Sequence, residues 1–180
     1  MSVKEHFRTR TNNHISLVYK YLKKIADLKL PEIDNDVLLQ KGHDMSKFEE
    51  PEYTPYLHIT WKYKMQGEGK TYNPPKEIEE AMRSATFFHV VHNPHHPEYW
   101  DNNATIESIN LVNRDAKPEQ RVDGTKMPLS NVAQMIADWC AVAEEKNTKT
   151  KDWADKNVNI RWTFNPDQVT FIYKLIDKLS

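Results

Sequence analysis

Four of the chain's eight histidines crowd into "HVVHNPHH", residues 89–96, and the run continues as "PEYWDN". Imidazole is the commonest metal-ligating side chain, so the run could form one wall of a metal site. A second constellation, "GHDMSKF", sets His43 beside Asp44. An adjacent His–Asp pair offers a ring nitrogen and a carboxylate oxygen to one cation, and the carboxylate can bridge to a second. Lys47 lies one turn beyond His43, on the same side of a helix extending to Phe48. An ammonium there would clamp a phosphate or stabilise a leaving group. A solvated helix end favours the same lysine.

Three separate helices turn ionisable groups toward the core. His14 falls in line with Leu17, Val18, Tyr21 and Leu22. His89 repeats this with Ile78, Met82 and Ala85, and Asp138 lies at heptad spacing from Asn131, between Met135 and Val142. An unsatisfied buried polar group costs roughly 1–3 kcal/mol, and an unpaired carboxylate more. Taken singly, each has an ordinary reading as a hydrogen-bonded core histidine, a paired acid or a solvated turn. Convergence of all of them is better explained by a shared metal site. The donors are nitrogen and oxygen without thiolate, which suits one or two divalent ions of Mn, Fe, Co, Ni, Zn or, in part, Mg. HExxH, P-loop, dinucleotide and nucleophile-elbow motifs are absent.

Helices must position these groups. Apolar periodicity near 3.6 predicts helices at about 11–28, 31–48, 53–65, 76–92, 128–145 and 166–179, with His14 at the N-terminal end of the first stripe. Asn93-Pro94 breaks the fourth helix, residues 102–126 read as a polar connection with a short helix near Ile106, and "NIRWTF" reads as a short extended piece. Only four glycines in 180 residues argue against a sandwich or barrel. The expected fold is all-α: a single helical-bundle domain of six or seven helices over residues 1–180, its metal-site core at about 11–145 and a C-terminal helix at 165–179 packed on it.

Composition narrows the function. The 25 Lys and Arg against 26 Asp and Glu give a net charge of -1, which argues against general nucleic-acid binding. A lone cysteine, Cys140, excludes an intramolecular disulfide and fits a reducing compartment. No signal-peptide pattern and no run near the roughly 18 apolar residues of a membrane span is present. The expectation is a soluble, cytoplasmic protein.

The order His14, His43-Asp44, histidine cluster, Asp138 resembles the HD-domain superfamily of metal-dependent phosphohydrolases, whose pattern is H…HD…D on a helical bundle. "HDMSKF" resembles the HD–hydrophobic–Gly/Ser–Lys segment of the HD-GYP subgroup, and "HHPEYWD" its HHE-x-x-D segment. "NPHHPEYW", "HDMSKF" and "MIADW" together resemble uncharacterised HD-like proteins of bacteria and their phages. The resemblance spans roughly His14 to Trp139. It implies His14, His43, Asp44 and Asp138 as the core ligands, Asp44 bridging if two ions bind. It implies His89, His95 and His96 as ligands of a second ion, with less support for His92 and none for His58 or His6. The glycine-tyrosine-proline tail is replaced by "EYWDNNAT", which counts against cyclic-di-GMP as substrate, and Ser46 stands where that subgroup has glycine.

The resemblance implies a phosphohydrolase acting on a nucleotide or other small phosphoester. Asp44 and Lys47 would be catalytic, and Lys47, Asn93, Trp100 and, more weakly, Tyr99 would meet the substrate. One alternative is a di-iron oxygenase, a use known in the same superfamily. Another is a non-enzymatic, metal-stabilised binding protein, for example a phage protein acting on a host factor or signalling nucleotide in the host cytoplasm. Many HD-type proteins dimerise through helical faces, so a homodimer is the oligomer to look for.

Overall fold

Ser2 and Glu5 start the first helix by a reciprocal cap. Glu5 N–H donates to the Ser2 hydroxyl at 3.3 Å and Ser2 N–H to the Glu5 carboxyl at 2.8 Å. This helix, α1 (Val3–Asp27), therefore begins eight residues earlier than periodicity suggested. His14 lies mid-helix, in a buried line of Phe7, Thr11, His14, Val18, Leu22 and Ile25. A computed structural model describes residues 1–108 and 118–180. The rest of the expected 102–126 connection, residues 109–117, lies outside the described residues.

The expected helix over 31–48 is replaced by three short pieces. Asp34 caps a single turn, α2 (Asn35–Leu38), its carboxyl accepting from Asp36 N–H. Gly42 at φ 110 and Asp44 at φ 59 then reverse the backbone, and a 3₁₀ turn follows at Met45–Phe48. Helical periodicity cannot register positive φ, which glycine adopts freely and Asp tolerates. His43-Asp44 consequently sits on a turn, and Lys47 is paired with Asp44 rather than lying on a helical face shared with His43.

The next helices are α3 (Tyr53–Gly67) and α4 (Lys76–His92), near their expected limits, and a 3₁₀ turn at Ile106–Ser108 stands where a short helix was expected. The extended piece in "NIRWTF" is β2 (Trp162–Thr163), and its partner is β1 (Val122–Asp123), in parallel with Val122 opposite Trp162. After β1 comes α5 (Leu129–Lys146), then α6 (Thr150–Asn157), a polar helix the apolar pattern did not reveal, and, after β2, α7 (Pro166–Leu179). Asn165 and Gln168 cap α7 reciprocally, with Pro166 in the first turn.

The described residues thus form a mostly all-α fold of seven helices around α5. That helix is buried almost all round between Ser130 and Ala143, as a central helix must be. It packs on α1 and α7, while α1 also meets α3, and α3 meets α4. Val18, Leu22 and Ile25 of α1 join Met135 and Ile136 of α5 and Ile172, Leu175 and Ile176 of α7 in one core.

A second layer of contacts fixes the segment after α4. Trp162 stacks on Trp139 with centroids 5.6 Å apart, and its indole N–H donates to Glu98 Oε1 at 2.8 Å. Gly124 lies so close to Phe164 and Pro97 that an added Cβ would stand 2.8 Å from the Phe164 ring. Glu98 and Pro97 directly follow His95-His96, so these contacts hold the histidine turn against the core. No helix among the described residues is long and apolar enough to cross a membrane.

The left-handed turn is the local feature on which the site depends. Gly42→Ala should lower the unfolding free energy by roughly 1–3 kcal/mol, because an L side chain is strained at that φ. Urea denaturation checks this, and an unchanged midpoint would contradict it.

Candidate metal centre

Each ligand candidate arrives on a different element. His14 comes from the middle of α1, His89 from the last turn of α4, and Asp138 from the middle of α5. His43-Asp44 comes from the left-handed turn, and His95-His96 from the chain that Asn93-Pro94 redirects after α4. All seven side chains converge on one cluster, with Asp44 inside it.

Asp44 is 2% exposed, and its two oxygens face different neighbours. Oδ2 lies 3.6 Å from His14 Nε2 and 2.5 Å from the Lys47 ammonium. Oδ1 lies 3.9 Å from His43 Nε2, 3.2 Å from His89 Nε2 and 3.6 Å from His95 Nε2. His14 Nε2 also meets Asp138 Oδ1 at 2.9 Å. The ligand atoms form overlapping trios, each within 4.8 Å: His14, His43 and Asp138; His43, Asp44 and His95; His89, His95 and His96. Asp44 thus joins a half containing His14 and Asp138 to a half built of histidines.

The donor set fits a cation. His43 Nε2, Asp44 Oδ1, His89 Nε2, His95 Nε2 and His96 Nε2 are buried with no hydrogen-bond partner. At roughly 1–3 kcal/mol each, five such atoms would cost about as much as a whole domain's stability. Cations contacting them would remove that cost. A cation bonded at about 2.0–2.2 Å holds neighbouring ligand atoms about 3–3.5 Å apart, close to the separations around Asp44. These buried His/Asp clusters could therefore hold a metal ion.

Electrostatics prepares most of the ligands. Burial pushes His43, His95 and His96 below the ordinary imidazole value, and for the latter two well below it, with neighbouring rings adding to the effect. They present the neutral rings that a metal requires. Burial alone would raise Asp44, yet Lys47, His43 and His89 outweigh it and hold the carboxyl well below the usual range. Asp138 is likewise raised by burial but lowered overall by its bond to His14. His14 is the exception. Burial lowers it, but hydrogen bonds to Asp138 and Glu145 prevail and bring it up to about 9.

Two acids that sequence reasoning missed touch the outer nitrogens. Glu52, fully buried, accepts from His89 Nδ1–H at 2.7 Å. Glu145 accepts from His14 Nδ1–H at 3.2 Å. Glu145 lies seven residues after Asp138, continuing the 131–138 heptad, so its face was readable. Glu52, within "FEEPEY", looks like part of an ordinary solvated charge run.

The remaining candidates have other contacts. Asn93 donates its amide to His89 O at 2.7 Å and Trp100 its indole N–H to Pro94 O at 2.9 Å, so both brace the histidine turn. Tyr99 is exposed. His92 is exposed and bonded to Phe88 O, His58 meets Tyr72, and His6 meets Trp61; none of them joins the cluster.

Residues 3–178 match the model of DUF5662, a family of unknown function. The chain belongs to this family. No curated protein and no solved structure matches it. The DUF5662 match runs through every residue of the centre, from His14 to Asp138, and through both outer acids.

In the metal-free DUF5662 protein His14 carries a proton at neutral pH, and an ion binding Nε2 must displace it. That competition weakens as pH rises from 6.5 to about 9. Mn²⁺ affinity should therefore increase by roughly tenfold per pH unit across that window, with proton release on binding. Calorimetry in buffers of different ionisation enthalpy measures both, and a flat profile would contradict this assignment.

Proposed function

We propose that the protein is a metal-dependent phosphohydrolase of the HD type, acting on a nucleotide or another small phosphoester. The observation that carries this reading is a lysine ammonium fixed at the edge of a buried His/Asp cluster. Lys47 bonds Asp44 Oδ2, lies over the Tyr56 ring at 5.1 Å, and keeps 15% of its side chain exposed. A fixed cation beside metal ligands suits the non-bridging oxygens of a phosphoryl group. The spatial convergence of His14, His43-Asp44 and Asp138 is what the resemblance to HD phosphohydrolases leads one to expect.

Divalent ions bound here would supply Lewis acidity and lower the pKa of water to near neutrality. The chain's own residues would divide the remaining work. Asp44 would orient both halves of the ligand set, through Oδ2 toward His14 and Oδ1 toward His89 and His95. Lys47 would draw a phosphoryl oxygen toward the cluster and take up charge as the leaving group departs. The surrounding burial excludes bulk water, which strengthens each of these interactions.

The test is turnover of mono-, tri- and cyclic nucleotides and simple phosphate esters by protein loaded with Mn²⁺ or Co²⁺. Asp44→Asn, which keeps a residue tolerant of left-handed backbone, should lose metal and turnover together. Lys47→Met should retain metal and lose about 10–100-fold in kcat. Absence of turnover across the panel, in protein that holds two irons with a mixed-valence signal, would overturn this reading in favour of the oxygenase.

A further inference from the structure

A carboxyl group buried to 0% exposure needs a compensating partner. No lysine or arginine ion pair meets Glu52 among the described residues. Its Oε2 lies 2.7 Å from His89 Nδ1, and its Oε1 has no hydrogen-bond partner. Glu52 directly precedes α3, whereas His89 belongs to α4, so the contact links two packed helices at the back of the centre.

The hydrogen count at His89 fixes its orientation. Asn93 Nδ2 also stands 3.2 Å from His89 Nδ1, but an amide nitrogen has only hydrogens to offer. Its better contact is His89 O at 2.7 Å. Nδ1–H therefore donates to Glu52, and Nε2 is the nitrogen left to face Asp44 Oδ1, at 3.2 Å. His96 Nε2 and His95 Nε2 face the same space. A cation among these atoms would meet Nε2 of His89 without its proton, the tautomer that donation from Nδ1–H to Glu52 selects.

We propose that Glu52 is a positioning residue that selects the His89 tautomer and thereby sets whether the His89–His95–His96 half binds its own ion. The inference rests on the metal-centre reading and is independent of the reaction. The two halves differ in how much they need such support. The His14 half has Asp138 as an acidic ligand, and its outer acid, Glu145, lies at the solvent margin, shared with Arg10 at 3.8 Å. The histidine half has no acidic candidate ligand except Asp44, whose oxygens face both halves. Glu52 is the acid behind it. Outer carboxylates of this kind raise ligand basicity and lock ring orientation.

The experiment compares wild type, Glu52→Leu and Glu52→Gln by elemental analysis, calorimetric titration and visible absorption with Co²⁺, with circular dichroism reporting the fold. Wild type should bind two ions. Glu52→Leu should retain one, the second affinity falling about 10–100-fold while the first is unchanged. Glu52→Gln, whose amide oxygen still accepts from Nδ1–H, should recover the second ion with intermediate affinity. Two ions bound to folded Glu52→Leu with wild-type affinity would overturn the proposal, as would parallel loss of both ions or a wild type that takes only one. If Glu52→Leu does not fold, Glu52→Gln decides: selective weakening of one ion supports the proposal, and equal or no weakening refutes it. Selective loss of the second ion in a protein without phosphoesterase activity would remove the hydrolase reading and leave the role of Glu52 intact.

Discussion

Asp44 places a carboxyl group at the centre of four imidazoles, with one oxygen toward His14 and Lys47 and the other toward His43, His89 and His95. Burying that group raises its energy, and only surrounding positive charge reverses the effect. Much of the fold follows from meeting this demand. The left-handed turn at Gly42 and Asp44 aims the carboxyl inward, and α1, α4 and α5 each contribute an ionisable residue from an inward face. Contacts among Trp162, Glu98, Gly124 and Pro97 then hold the chain that carries His95 and His96.

The halves joined by Asp44 have different chemistry. One has a second acid, Asp138, and a histidine whose raised pKa depends on it. The other consists of histidines, of which His95 and His96 are kept neutral by burial and His89 is backed by Glu52. In the proposed hydrolase this asymmetry would let two ions differ in affinity while sharing one bridging group. Lys47 would then be the group that meets substrate charge.

Helical phase made much of this legible. His14, His89 and Asp138 stand out in sequence because each interrupts an apolar stripe, and each is directed into the cluster. Phase failed where backbone handedness or tertiary contact decides the outcome. The segment 31–48 has helical periodicity, but Gly42 and Asp44 adopt positive φ, so His43, Asp44 and Lys47 are arranged by a turn. Asn93 and Trp100 brace the histidine turn through backbone carbonyls, contacts that spacing does not encode. Glu52 is hidden for the same reason: its partner is thirty-seven residues away, on another helix. The pairing of β1 with β2 and the polar helix α6 leave no periodic trace either.

The buried donor atoms around Asp44 are proposed to hold metal. Anomalous diffraction from crystals grown with Mn²⁺, recorded on either side of the metal edge, tests this most directly. Anomalous peaks are expected on both sides of Asp44, one shared with His14, His43 and Asp138 and one with His89, His95 and His96. Absence of any peak at Asp44, with ordered water on the histidine Nε2 atoms instead, would contradict it.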